Sequence, residues 1–158
     1  MTEWMQPNWW PAPSGGTART ETDLADAMIQ GELVELRVDA DLASLALVRT
    51  MATAVAMRGD HDIDAIADLK LVADEICTTL IRRSTAGARL LCRFSLLPRS
   101  LAFTVSVPVC DVSPVRQDSL SWRLLTALVD SIATTVRTDG ATPELVIEVL
   151  MTRKVGEL

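Results

Sequence analysis

Apolar and polar positions recur along this chain in two periods, and the switches between them outline a folded unit that begins near residue 31. Glu32 to Val38 steps by two, with Val34, Leu36 and Val38 on one side, which predicts a half-buried strand. Leu42 to Met57 steps by three and four through Leu45, Val48, Ala52 and Val55, so a helix is expected there, with Asp39 or Asp41 as its cap and Gly59-Asp60 as its end. The longest such run is Asp60 to Ser84. In it Ile63, Ile66, Ala67, Leu69, Val72, Ala73, Ile76 and Leu80 share one face, acidic side chains crowd the first turn, and Arg82 and Arg83 sit in the last.

Arg89 to Leu97 and Leu101 to Val109 are β-rich runs joined by the short Pro98-Arg99-Ser100 connection. A further helix, W-R-L-L-T-A-L-V-D-S-I from Trp122 to Ile132, has Ser119 or Ser121 as its cap. Thr134 to Thr138 and Leu145 to Met151 are expected strands separated by the Asp139-Gly140 turn. Strand, helix, helix, strand, strand, helix, strand, strand implies helices gathered over a mostly antiparallel sheet, an α+β two-layer sandwich. Residues 1–30 break both periods. Trp4, Trp9 and Trp10 lie among Pro7, Pro11, Pro13, Gly15 and Gly16, which reads as an irregular tail, followed by a short helix over Thr22 to Gly31. The expected organisation is therefore a tail over 1–30 and one domain over 31–153.

Composition narrows the function classes. The 158 residues suffice for one core without staples, and 49% are apolar against 23% charged. A net charge of −6 and a pI near 4.7 leave no basic stripe for direct nucleic-acid binding. The three cysteines, Cys77, Cys92 and Cys110, lack zinc-type spacing, which favours reduced, buried thiols in a cytoplasmic protein. His61 is the only histidine, so histidine-based catalysis and histidine-rich metal sites are closed. No stretch has the apolar length of a membrane span and no signal-peptide pattern opens the chain, so no membrane partner is expected.

Candidate chemistry lies on the long helix, where Glu75 and Thr79 are four residues apart and project from one side. The segment D-I-D-A-I-A-D-L-K-L-V-A-D-E-I-C-T-T-L-I, Asp62 to Ile81, resembles the nucleotide-binding N-box helix of the RsbW-like anti-sigma factors. Those are serine kinases of the histidine kinase-like (GHKL) ATPase superfamily. With the order of elements, the resemblance covers roughly residues 32 to 151 and implies a Bergerat-type fold. It places Glu75 at the family's general base. Thr79 falls where the family has an asparagine that coordinates magnesium. Of the adenine motif D-x-G-x-G, the stretch D-V-S-P-V keeps Asp111 but replaces both glycines with Ser113 and Val115. The phosphate-cradling G-x-G is replaced by Ser119-Leu120-Ser121, followed by the bulky Trp122. Between these motifs only Pro114 to Asp118 remains of the family's longer lid.

Phosphoryl transfer rests on positioning and charge neutralisation, so these departures imply that ATP and magnesium binding is weak or lost. The resemblance then implies a bacterial stress-response regulator. It would be a homodimer that sequesters a sigma factor and is released by a STAS-type anti-anti-sigma protein, with Arg49 on the first helix a contributor to partner binding. An acidic protein suits a sigma factor's basic DNA-contacting surface. The alternative it carries is an ATP-dependent serine kinase that phosphorylates that antagonist with Glu75 as base. A third expectation is redox control, should Cys77 and Cys110 both approach the pocket.

Overall fold

A computed structural model describes residues 31–153. The tail's tryptophans and the expected helix over Thr22 to Gly31 lie outside the described residues. Strand β1, Glu32–Asp39, leads through a 3-10 turn at Leu42–Ser44 into helix α1, Leu45–Arg58. Of the two caps expected there, Asp41 serves, accepting the Ala43 N–H at 2.8 Å. Helix α1 stops at Gly59, and Asp60 then takes the left-handed conformation at φ 56°, which aspartate tolerates better than most residues. Asp62 accepts the Ala65 N–H at 2.7 Å and opens helix α2, Ile63–Arg83.

Strands β2, Arg89–Leu96, and β3, Ser100–Pro108, form a hairpin closed by a 2.9 Å bond from Leu97 N–H to the Ser100 carbonyl. Helix α3, Leu120–Leu128, is capped by Ser119. Strands β4, Ser131–Arg137, and β5, Glu144–Thr152, complete an antiparallel sheet of order β1-β2-β3-β5-β4. The architecture is α+β, as the order of periods implied. One boundary is corrected. The helix ends at Leu128 rather than Ile132, because Ser131 and Ile132 pair with Leu150 and Val149 as the start of β4. Sheet pairing overrides the continuing apolar repeat there.

The core lies between the helices and one sheet face. Leu69, Val72, Ala73, Ile76 and Leu80 of α2 are fully buried, with Val48 and Ala52 of α1 beside them. The stripe differs from expectation at its start: Ile63 is 84% exposed and Ala67 is exposed, whereas Cys77 joins the core. Phe94 and Phe103, the chain's two phenylalanines, stack across β2 and β3 with ring centroids 4.6 Å apart. Among the described residues no helix lies on the opposite sheet face, which carries Arg37, Leu91, Arg93 and the buried Thr104, Ser106 and Glu148.

Candidate functional site

The C-terminal half of α2, the loop after β3 and the N-terminus of α3 converge on a cavity of about 410 Å³. Four residues singled out in the sequence line it: Thr79, Asp111, Ser119 and Ser121. Its apolar side is Val115, Trp122, Leu125 and Ile147. Two other candidates stand outside. Glu75 is half-buried one turn before Thr79 on α2 and is not a lining residue. Arg49 lies on α1, where its Nε is 3.5 Å from the carboxylate of Asp74 on α2.

Three of the four lining side chains are engaged within the chain. The Thr79 hydroxyl donates to the Glu75 carbonyl at 2.8 Å, a helix back-bond that turns it along its own backbone. The Ser119 oxygen accepts the Trp122 N–H at 3.1 Å as the α3 cap. Asp111 accepts the Ser113 N–H at 2.9 Å, and its hydrogen bonds with Ser113, reinforced by the nearby Arg83 charge, hold its carboxyl below the usual range. Ser121 is exposed.

Sequence reasoning missed Arg83. Its guanidinium donates to the Asp111 carbonyl at 2.8 Å and to the Ser113 carbonyl at 2.5 Å, with the Ser113 hydroxyl at 3.3 Å. One side chain at the end of α2 thus staples the Asp111 to Val115 loop. Its place in the last helical turn marked it as a dipole partner; nothing local signals a contact thirty residues away.

Hydrogen bonds from a charged donor contribute about 1.5–3 kcal/mol. Arg83→Ala is therefore expected to raise amide hydrogen exchange of the Asp111 to Asp118 loop by about tenfold or more. Because the bonds are local, the core strands should keep their protection; a loop with unchanged exchange would contradict the staple.

The cysteines do not meet as redox control would need. Cys77 is buried against Cys92, whose hydrogen bond, with burial, pushes the Cys77 thiol well up and leaves it unreactive. Cys110 is exposed and does not line the cavity. Among the described residues no group of three or more histidine, cysteine, aspartate or glutamate side chains is placed to hold a metal ion. No helix among them is long and apolar enough to cross a membrane.

A second surface lies on α1, the helix to which the resemblance assigns partner binding. Leu42 in the turn before α1 and Leu47 and Met57 on it are 58%, 59% and 62% exposed, and Arg49 on the same helix is half-exposed.

No family model matches the chain. Two curated proteins are similar to it, each the anti-sigma-F factor RsbW of Mycobacterium tuberculosis, from the CDC 1551 / Oshkosh and the ATCC 25618 / H37Rv strains. Each is 42% identical over 114 residues, which is 71% of this chain and 66% of the relative. The match thus spans just under two thirds of the relatives' own length.

Proposed function

Because the chain belongs to the RsbW-like family of anti-sigma factors, we propose that it binds and sequesters an RNA polymerase sigma subunit in the bacterial cytoplasm. The observation that carries this reading is the 42% identity to a protein named as an anti-sigma factor. In this reading the outer face of α1 is the docking surface. Leu47 and Met57 supply apolar contact, and Arg49, already held toward Asp74, supplies a directed charge. The reading extends to a homodimer, to release by a STAS-type anti-anti-sigma protein and to a role in a stress response, all carried by the family resemblance. It takes the fold as the histidine kinase-like ATPase type, which the helix layer over an antiparallel sheet supports.

The kinase alternative is disfavoured by how the cavity's polar groups are used. A magnesium-nucleotide needs free oxygen ligands and room for phosphates. Here the Thr79 hydroxyl, the Ser119 oxygen and the Asp111 carboxylate serve the chain's own backbone, and Arg83 closes the loop over them. With these groups so engaged, the cavity does not fit a magnesium-nucleotide. Titration with millimolar Mg-ATP is expected to give no saturable heat; saturable binding that Glu75→Ala converts into loss of phosphotransfer would restore the kinase reading.

Arg49→Glu tests the docking surface. Breaking an exposed pair with Asp74 costs at most about 1 kcal/mol of stability, so the fold should survive. Affinity for the sigma subunit should fall by about tenfold or more, chiefly through faster dissociation. Unchanged affinity would move the docking surface elsewhere.

A further inference from the structure

The sheet face away from the described helices holds a second cavity, of about 650 Å³, with none of the lining residues of the Thr79 cavity. Its basic residues come from three strands. Arg37 of β1, Arg89 and Arg93 of β2 and Arg137 of β4 all line it, with Glu144 the one acidic lining residue among the described residues. The pairing register explains the convergence. Arg37 lies opposite Leu91, Leu91 opposite Ser106, and Arg137 opposite Glu144, so alternate residues of neighbouring strands bring long side chains over one end of the face. Thr85, Ser106 and Thr142 add hydroxyls among the arginines.

The four arginines outnumber by one the carboxylates beside them, Asp39 at 3.7 Å from Arg89, Glu35 at 2.9 Å from Arg93 and Glu144 at 3.4 Å from Arg137. Two of the arginines keep a guanidinium nitrogen without a hydrogen bond. Arg137 Nε is buried without a hydrogen bond, although another guanidinium nitrogen reaches Glu144 at 3.4 Å. Arg93 Nε is likewise without a hydrogen bond, although it stands 2.9 Å from Glu35. Buried donors left open cost free energy that an acceptor brought from outside would recover. Glu148, next along the row from Arg93 and Thr104, adds no opposing charge at neutral pH, because burial raises its pKa to about 8.

The volume falls within the range of small-molecule sites. With strands about 4.8 Å apart, β2 and β4 stand roughly 14 Å apart, and Arg93 and Arg137, four residues out of step in the register, lie at opposite corners of the cavity. Guanidinium forks match phosphate oxygens in geometry as well as charge. We propose that the arginine-lined cavity on the open face of the sheet binds a small polyphosphate anion, the phosphate groups lying between Arg93 and Arg137. The shared chemistry is a chain of two or more phosphates, either free or as part of a nucleoside polyphosphate. The site is independent of the sigma-docking surface, so its failure would leave that reading standing.

The test is isothermal titration of the full chain with inorganic tripolyphosphate, and in a second arm with a magnesium-free nucleoside triphosphate. Saturable binding is expected, weakening steeply as salt rises. The double variant Arg93→Gln/Arg137→Gln should lower affinity at least tenfold, whereas Arg83→Ala and Arg116→Gln, around the other cavity, should leave it unchanged. Tighter binding in the nucleoside arm would identify a base-bearing ligand; equal binding would identify the phosphate chain alone. Both variants lie on a solvent-facing side of the sheet, and a matched thermal melt checks that the fold is kept. No saturable binding at millimolar tripolyphosphate would overturn the proposal. So would affinity lost in the Arg83 or Arg116 variants and kept in the double variant.

Discussion

Phe103→Ala is expected to lower the free energy of unfolding by about 3–5 kcal/mol, the range for emptying a buried aromatic site. Phe103 has no exposed surface and stacks on Phe94 at 4.6 Å, with the two rings 18° from parallel. Removing one ring leaves a void against the other and against the α2 residues above it, where the sheet backbone cannot collapse inward. A domain of this size has only about 5–15 kcal/mol in hand, so much of its margin goes with one side chain. Urea denaturation followed by circular dichroism measures this directly. Phe103→Leu, which refills most of the volume, should lose far less. Partner binding in the alanine variant should then fall in step with the unfolded fraction. An alanine variant as stable as the parent would contradict this placing of the core.

Glu148→Gln is expected to stabilise the fold, and by an amount that depends on pH. Glu148 is 7% exposed, its Oε2 has no hydrogen-bond partner, and burial raises its pKa to about 8. Thr104 and Ala133 flank it across the strands, and neither brings a positive charge. The unfolded chain releases this proton near an ordinary carboxyl value, whereas the folded chain keeps it. Between those two pKa values the folded state binds more protons, so stability falls as pH rises from about 4.5 to 8 and then levels. The neutral glutamine carries no such penalty. The variant should match the parent near pH 4.5 and exceed it by about 2 kcal/mol above pH 8, less than the full shift because water reaches this face. Thermal melts across that range supply the measurement; parallel curves for the two proteins would refute the assignment.

The elements were largely legible because each strand and helix carries its own period, and the caps at Asp41, Asp62 and Ser119 are local chemistry. What failed was non-local. The apolar repeat through Leu125 and Val129 continues to Ile132, and only pairing with β5 turns that last residue into strand. The insertion of β5 between β3 and β4 leaves no mark on local pattern. At the cavity, spacing along the chain brought out Thr79, Asp111, Ser119 and Ser121, which the fold does gather around one space. It did not reveal that the polar atoms of Thr79, Asp111 and Ser119 bond the chain's own backbone, since such a partner depends on rotamer and backbone. Nor could it reveal the Arg83 staple or the convergence of Arg37, Arg93 and Arg137, which arise from loop placement and strand register.

The proposed sequestration reading draws on two features: cavity groups bonded to the chain's own backbone, and the exposed apolar side chains Leu47 and Met57 on α1. The most direct test of sigma-factor sequestration is titration of the full chain against each sigma subunit of its host. One subunit should bind saturably at micromolar concentration or below without added nucleotide, and its transcription should be inhibited in proportion to the complex formed. Failure of every sigma subunit to bind, with nucleotide present or absent, would contradict the account.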